Sequence, residues 1–323
     1  MELPEGHYWS EAVRTDDPFW SGARSSLVAF VGIGPGFSPQ HLGTGFIIGT
    51  DKEGLLLVLT AKHVVEDGAI RVQRVNGRRA PSAPGILFDT EKPKIGPMDF
   101  RAVWMGAKDA DMFFVRHVAY ANNLDVALCV LEAQERLRSS IHQLAPAIAL
   151  DTRIPPTGTS IHIIALSWLK FNDTSQSADG NRIWRVETRP VVRVGKVLSH
   201  QDEGVGHKGP CFTTTIPTDR GMSGGFGYVP RDANPVAACG IISTSPQEDD
   251  GKIDFQVSGN STLVGVLGAL ALQVPLSSEP SFSLLFALVK SGQVRDIAGG
   301  GQNLGIRKLG EDGECEVYRI GEG

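Results

Sequence analysis

The stretch GTGFIIGTDKEGLLLVLTAKHVVEDG, residues 43–68, sets the texture of the whole chain. Two short apolar runs, 43–50 and 54–61, flank the turn residues TDKEG, which reads as two strands joined by a tight connection. The second run ends in Thr-Ala-Lys-His. His63 therefore stands at a strand end, where a barrel loop opens into a cleft. The pattern extends in both directions. SLVAFVGI (26–33) precedes it across the turn GPGFSP, and AIRVQRV (69–75) follows VEDG. Residues 76–100 are rich in Pro, Gly and Lys and read as a long surface loop. FRAVWMG, DMFFVRHV and DVALCVLE then predict three more strands, ending near Glu132.

ERLRSSIHQLAPAIAL (135–150) reads as a crossing segment. A second series of strands starts at TSIHIIALSW (159–168). It continues through RIWRVETRPVVRVGKVLS, CFTTTI, GFGYV and PVAACGIIST, between 182 and 244. Two blocks of about six short strands predict an all-β chain built from two antiparallel six-stranded barrels, since closure removes exposed strand edges. The expected division is an N-terminal extension (1–25), a first barrel (26–150), a second barrel (151–255) and a C-terminal segment (256–323). In the last, PSFSLLFALVKSGQVRDIAG (280–299) has apolar residues at helical spacing and predicts a helix, followed by one short strand, CEVYRI. No repeat at solenoid or propeller spacing occurs.

Composition narrows the function classes. Of 323 residues, 41% are hydrophobic and 21% charged, and 38 glycines with 19 prolines suit many short elements joined by turns. A formal charge of −5 argues against nucleic acid or an anionic membrane as the main partner. The opening MELPEGHYWSEAVRTDDPFW has no basic segment followed by an apolar run, so no signal or transit peptide is expected. The most apolar stretch, TLVGVLGALALQVPL (262–276), is too short to span a bilayer and reads as core. Cys129, Cys211, Cys239 and Cys315 are widely scattered, which fits buried thiols in a reducing cytoplasm rather than disulfides or a metal site. No cofactor is implied. GIGPG (32–36) lacks the GK[ST] ending of a phosphate loop, and no HExxH or paired CxxC occurs.

Three segments carry chemistry. Ser223 lies in RGMSGGFGYV (220–229), and a hydroxyl nucleophile needs a glycine-lined turn for two reasons. Substrate backbone must approach closely, and nearby amides must point at the developing oxyanion. The N–H groups of Gly221 and Ser223 are placed to do this. Alone, the string reads equally well as a glycine turn between strands. His63 alone reads as a structural histidine; His7, His41, His117, His142, His162, His200 and His207 lie in no comparable context and keep that reading. Asp125 opens DVALCVLE after the polar run ANN. It reads either as a solvated strand-start carboxylate or as a buried one that needs a polar partner, for which a histidine N–H is suited.

These segments, in the order His, Asp, Ser, resemble the trypsin/chymotrypsin family of serine proteases, in detail its bacterial cytoplasmic and HtrA-like branches. GTGFIIG with LTAKHVV is similar to the family's histidine motif. NLDVALCVLE is similar to its aspartate motif, and DRGMSGGFGYV with VAACGIIST to its nucleophile loop and the strand that follows. The likeness covers about residues 26–245. It implies a serine endopeptidase with His63 as base, Asp125 as orienting carboxylate, Ser223 as nucleophile, and the amides of Gly221 and Ser223 as oxyanion hole. It further implies that Ser243, Thr244 and Ser245 pair with substrate backbone. Pro217, with Thr218 and Asp219, falls where the family sets primary specificity. A polypeptide substrate and an activator or regulatory protein are the implied partners.

Two departures matter. Met222 stands where digestive members have an aspartate that receives a freed N-terminus, so that activation route is not expected. Pro217 is neither acidic nor small and polar, which leaves the preference open. Asp219 and the acidic run 248–250 either favour a basic residue or are solvated surface. GxSxG hydrolases are a partial rival, but their nucleophile is followed by a helix and their triad runs Ser, Asp, His. A latent or inactive protease-fold module that binds a peptide or partner is the competing reading.

Overall fold

The computed structural model describes residues 9–12, 18–34, 38–50, 54–66, 100–106, 110–120, 124–138, 140–176, 182–204, 207–231, 236–243, 260–275, 282–299, 301–308 and 315–320. The N-terminal segment forms β1 (Trp9–Ala12) and α1 (Pro18–Ser25). A first barrel follows as β2 (Leu27–Gly34), β3 (Ser38–Thr50), β4 (Leu55–Thr60), β5 (Phe100–Met105), β6 (Ala110–Tyr120) and β7 (Ala127–Glu132). It closes in the order β2-β3-β4-β7-β6-β5, with antiparallel neighbours throughout. A short helix, α2, occupies residues 62–66 after β4. The strand expected at 69–75 and the loop expected from 76 lie outside the described residues, except that Phe100 opens β5.

The crossing segment forms α3 (Glu135–Arg138), α4 (Ile141–Leu144) and β8 (Ala149–Leu150). The second barrel comprises β9 (Ser160–Gln176), β10 (Arg182–Gly204), β11 (His207–Thr214), β12 (Phe226–Tyr228), β14 (Gly240–Ile242) and β15 (Ser261–Gly265). Its order is β9-β12-β14-β15-β11-β10, closed by β10 pairing back onto β9. Between β12 and β14, β13 (Ala237–Ala238) pairs in parallel with β8. Two closed six-stranded antiparallel barrels result, as the alternation of short apolar runs and turns predicts. β1 adds to the second barrel by pairing with β10, from Trp9 opposite Val194 to Ala12 opposite Val191.

The strands read as nearly continuous apolar runs because both of their faces are buried. Along β2, Val28 and Phe30 belong to the first barrel's interior, with Ile47, Val58 and Trp104. Leu27, Ala29 and Val31 face a separate core between the barrels. There Phe46 meets Phe226 of the second barrel, with ring centroids 4.9 Å apart. The second barrel's own interior is built on Ile161, Ile163, Phe212, Met222 and Leu263.

The C-terminal segment is part of the inter-barrel core. The apolar run after β15 forms a 3₁₀ turn, Val266–Ala271, that buries Val266, Ala269 and Leu270. β16 (Gln273–Pro275) pairs with β17 (Phe282–Leu284), and α5 (Leu285–Lys290) buries Leu285, Phe286, Leu288 and Val289. The helix predicted over 280–299 is therefore much shorter. Its first part extends to pair with β16, and Gly292, at φ +78°, ends it with the left-handed cap that glycine favours. CEVYRI is not a lone strand either: β19 (Cys315–Arg319) forms a hairpin with β18 (Leu304–Lys308). Among the described residues no helix is long and apolar enough to cross a membrane. All four cysteines are free, three of them buried.

Candidate active site

The register of the first barrel brings two distant residues together. Thr60, at the end of β4, stands opposite Ala127, at the start of β7. His63, in the first turn of α2, and Asp125, just before β7, therefore meet at one end of the barrel. Asp125 is 3% exposed and accepts hydrogen bonds from three groups. His63 Nδ1–H donates to Oδ2 at 2.8 Å and the His63 backbone N–H to Oδ1 at 2.9 Å. The Ser243 hydroxyl donates to Oδ2 at 2.5 Å. Burial pushes the carboxyl upward, but the His63 hydrogen bond and charge, with the Ser243 bond, outweigh it and hold the pKa at about 2. An ionised Asp125 requires the proton on Nδ1, so Nε2 is left as acceptor. The His63 side chain remains 34% exposed.

Ser223 comes from the second barrel. It lies in a turn between Asp219 and β12, a strand rather than the helix that GxSxG hydrolases require. Gly221 and Gly224 hold φ +90° and +85°. A Cβ on Gly224 would sit 2.0 Å from the Thr44 carbonyl oxygen, which no substitution accommodates without backbone movement. The turn presses against the first barrel: Thr44 N–H donates to the Ser223 carbonyl at 2.7 Å and Thr44 Oγ1 to the Gly221 carbonyl at 2.7 Å. Met222 N–H donates to the Asp219 carbonyl, and Gly224 N–H to that of Ile242. The N–H groups of Gly221 and Ser223 donate to no described residue. Such a pair of free amides beside a hydroxyl is what stabilising an oxyanion requires. The Ser223 hydroxyl itself donates to the Ser243 carbonyl at 3.2 Å.

Sequence reasoning left several neighbours unassigned. Ser243, expected only along substrate backbone, bonds Asp125 with its hydroxyl and receives Ser223 on its carbonyl. His41, read as structural, packs under the Ser223 turn, with its ring atoms 2.5 Å from where a Gly221 Cβ would lie. Its Nε2–H donates to the Gly43 carbonyl at 3.0 Å. Burial, aided by the nearby Arg220 charge, lowers its pKa to about 4 against the Gly43 bond. Thr44, inside an apolar strand, carried no sequence signal except its polarity at a buried position. Of the expected specificity residues, Pro217 is buried and its carbonyl accepts from Arg193 Nη1 at 2.6 Å, while Asp219 is ion-paired with Arg193 Nη2. Thr218 is partly exposed beside them. Thr244, Ser245 and the acidic run 248–250 lie outside the described residues. No group of His, Cys, Asp and Glu among the described residues could hold a metal ion.

Two closed barrels, with His63 and Asp125 on one and Ser223 on the other, decide the architecture. The fold is chymotrypsin-like. No family model matches the chain, and no curated protein does. Among solved structures, similarity is found to the HtrA-type protease AlgW with a decapeptide, at 13% identity and a TM-score of 0.42. That match covers 76% of this chain and 62% of AlgW, so this chain spans less than two thirds of that one. The protease Anisep from Arthrobacter nicotinovorans matches at 10% identity and TM-score 0.41, over 75% of this chain and 91% of its own. Human heparin binding protein matches at 13% and 0.42, over 80% and 90%.

Proposed function

We propose that this chymotrypsin-like chain is a serine endopeptidase acting through an acyl-enzyme, with a narrow protein substrate. The observation that carries the reading is the buried Asp125 carboxylate accepting the Nδ1 proton of His63 at 2.8 Å, which leaves Nε2 to act as a base. In this mechanism Nε2 takes the Ser223 proton as Oγ attacks a peptide carbonyl. The Gly221 and Ser223 amides hold the oxyanion, and the imidazolium, stabilised by Asp125, protonates the leaving amine. Water then repeats the cycle and releases the acid. The four free thiols suit an intracellular compartment, which is part of the proposal. Ser223→Ala is expected to abolish labelling by a fluorophosphonate probe while leaving the circular-dichroism spectrum unchanged. Persistent labelling of the variant would overturn the assignment.

A second reading, a latent or inactive module that binds a peptide, is favoured by one observation. The Ser223 hydroxyl donates to the Ser243 carbonyl, so its proton is engaged away from a base. Incubating the wild-type chain with a peptide library, with and without cell extract, separates the readings. Cleavage by the bare protein excludes latency, cleavage only with extract supports an activator, and none in either arm supports the binding module.

A further inference from the structure

The turn around Ser223 lies outside the strand ladders. Gly221 takes the positive φ that glycine favours, and the Gly221 and Ser223 N–H groups donate to no described residue, so the shape of the turn depends on what holds its flanks. The first barrel fixes one flank through Thr44. The other flank, the approach through Pro217 and Asp219, is gripped by the Arg193 guanidinium. Arg193 is 8% exposed; its Nη1 donates to the Pro217 carbonyl at 2.6 Å and its Nη2 pairs with the Asp219 carboxylate. Asp219 passes the constraint onward, because its carbonyl accepts from Met222 N–H at 3.1 Å and its own N–H meets Met222 Sδ at 3.3 Å. Met222 is wholly buried in the second barrel.

Arg193 is well placed to hold this loop. Its backbone is paired on both edges, opposite Ile163 of β9 on one side and Ser10 of β1 on the other. A planar fork on a rigid strand fixes two partners at once, which a lysine cannot. A buried guanidinium is also costly to leave unpaired, so the fork stays on the loop.

We propose that Arg193 is the positioning residue of the nucleophile turn, and that it sets the Gly221–Ser223 amides through Pro217 and Asp219 without any cleavage of the chain. An arginine brought in from β10, braced by the N-terminal strand, thus does what a carboxylate before the serine cannot do where Met222 stands. The catalytic consequence rests on the endopeptidase reading; the conformational one does not.

The test compares Arg193→Gln, Arg193→Lys and Asp219→Asn with wild type in the full chain, by fluorophosphonate labelling and by amide hydrogen exchange. Arg193→Gln is expected to slow labelling by about 10²–10³, the range seen when an oxyanion donor is lost. Peptide turnover is expected to fall in kcat with KM little changed. Amides 219–224 are expected to exchange faster while those of β4 and β7 do not. Arg193→Lys, which keeps charge but not the fork, is expected to fall between wild type and Arg193→Gln. Wild-type labelling and wild-type exchange in Arg193→Gln would overturn the proposal. Should that variant not fold, the same pair of results in both other variants would do so. If wild type itself does not label, the endopeptidase reading fails, and exchange at 219–224 alone decides the role of Arg193.

Discussion

Burial disfavours the charged form of both Asp125 and His41, but hydrogen bonds and charge outweigh it at Asp125, whereas burial prevails at His41. Asp125 stays ionised, with its pKa lowered from 3.8 to about 2 by His63 and Ser243. Its contribution to stability is therefore complete above about pH 4 and is lost as pH falls towards 2. His41 stays neutral, with its pKa lowered from 6.5 to about 4. Between those values the unfolded chain binds the extra proton, so stability declines as pH falls from 6.5 to 4. Urea titrations across pH are expected to show a flatter profile between pH 4 and 6.5 for His41→Gln than for wild type. An unchanged slope would show that His41 titrates freely in the folded protein. Asp125→Asn keeps the shape but favours the wrong imidazole tautomer. It is expected to cut kcat by about 10⁴ with little change in KM, as steady-state peptide hydrolysis would measure.

At the scale of elements, the C-terminal segment is tied to the linker between the barrels. Leu150 of β8 donates its N–H to the Arg295 carbonyl at 2.7 Å, and Ile297 N–H donates back to Leu150 at 2.8 Å. The buried Asp296 carboxylate accepts from Ala298 N–H at 3.1 Å and approaches Thr152 Oγ1 and the Gly301 N–H at 3.4 Å. Arg319 of β19 reaches Thr152 Oγ1 at 2.9 Å. α5 is short, with no acidic residue in its first turn, so its stability comes from packing rather than from the helix itself. Leu285→Ala is expected to destabilise the chain by about 2–5 kcal/mol, the usual range for an aliphatic core truncation, in equilibrium urea unfolding. A change under about 1 kcal/mol would mean that the segment rests on the barrels without supporting them.

For the whole molecule, one core cluster joins Leu27 and Phe46 of the first barrel, Phe226 and Ile241 of the second, and Leu270 and Leu285 of the C-terminal segment. Neither barrel can expose its share of that surface cheaply. Thermal unfolding is expected to be one transition, with calorimetric and van't Hoff enthalpies equal; two resolved transitions would show that the barrels are independent. The barrel strands and the three chemical segments were legible because they are local. An apolar run of four residues before LTAKH, or a glycine pair after Ser223, declares itself within a dozen positions. The residue pairs that depend on closure were not. Arg193 looks like any charged residue in a strand until β10 turns it onto Pro217 and Asp219. His41 looks structural until the turn of Gly221 is laid over it, and the helical spacing of 280–299 concealed a strand that pairs with β16. By itself the sequence determined the short apolar strands, the glycine turn, and the types and order of the candidate triad residues. The tertiary structure decided which polar side chains hold the Ser223 turn in place, because those contacts cross between strands and barrels and have no periodicity to read.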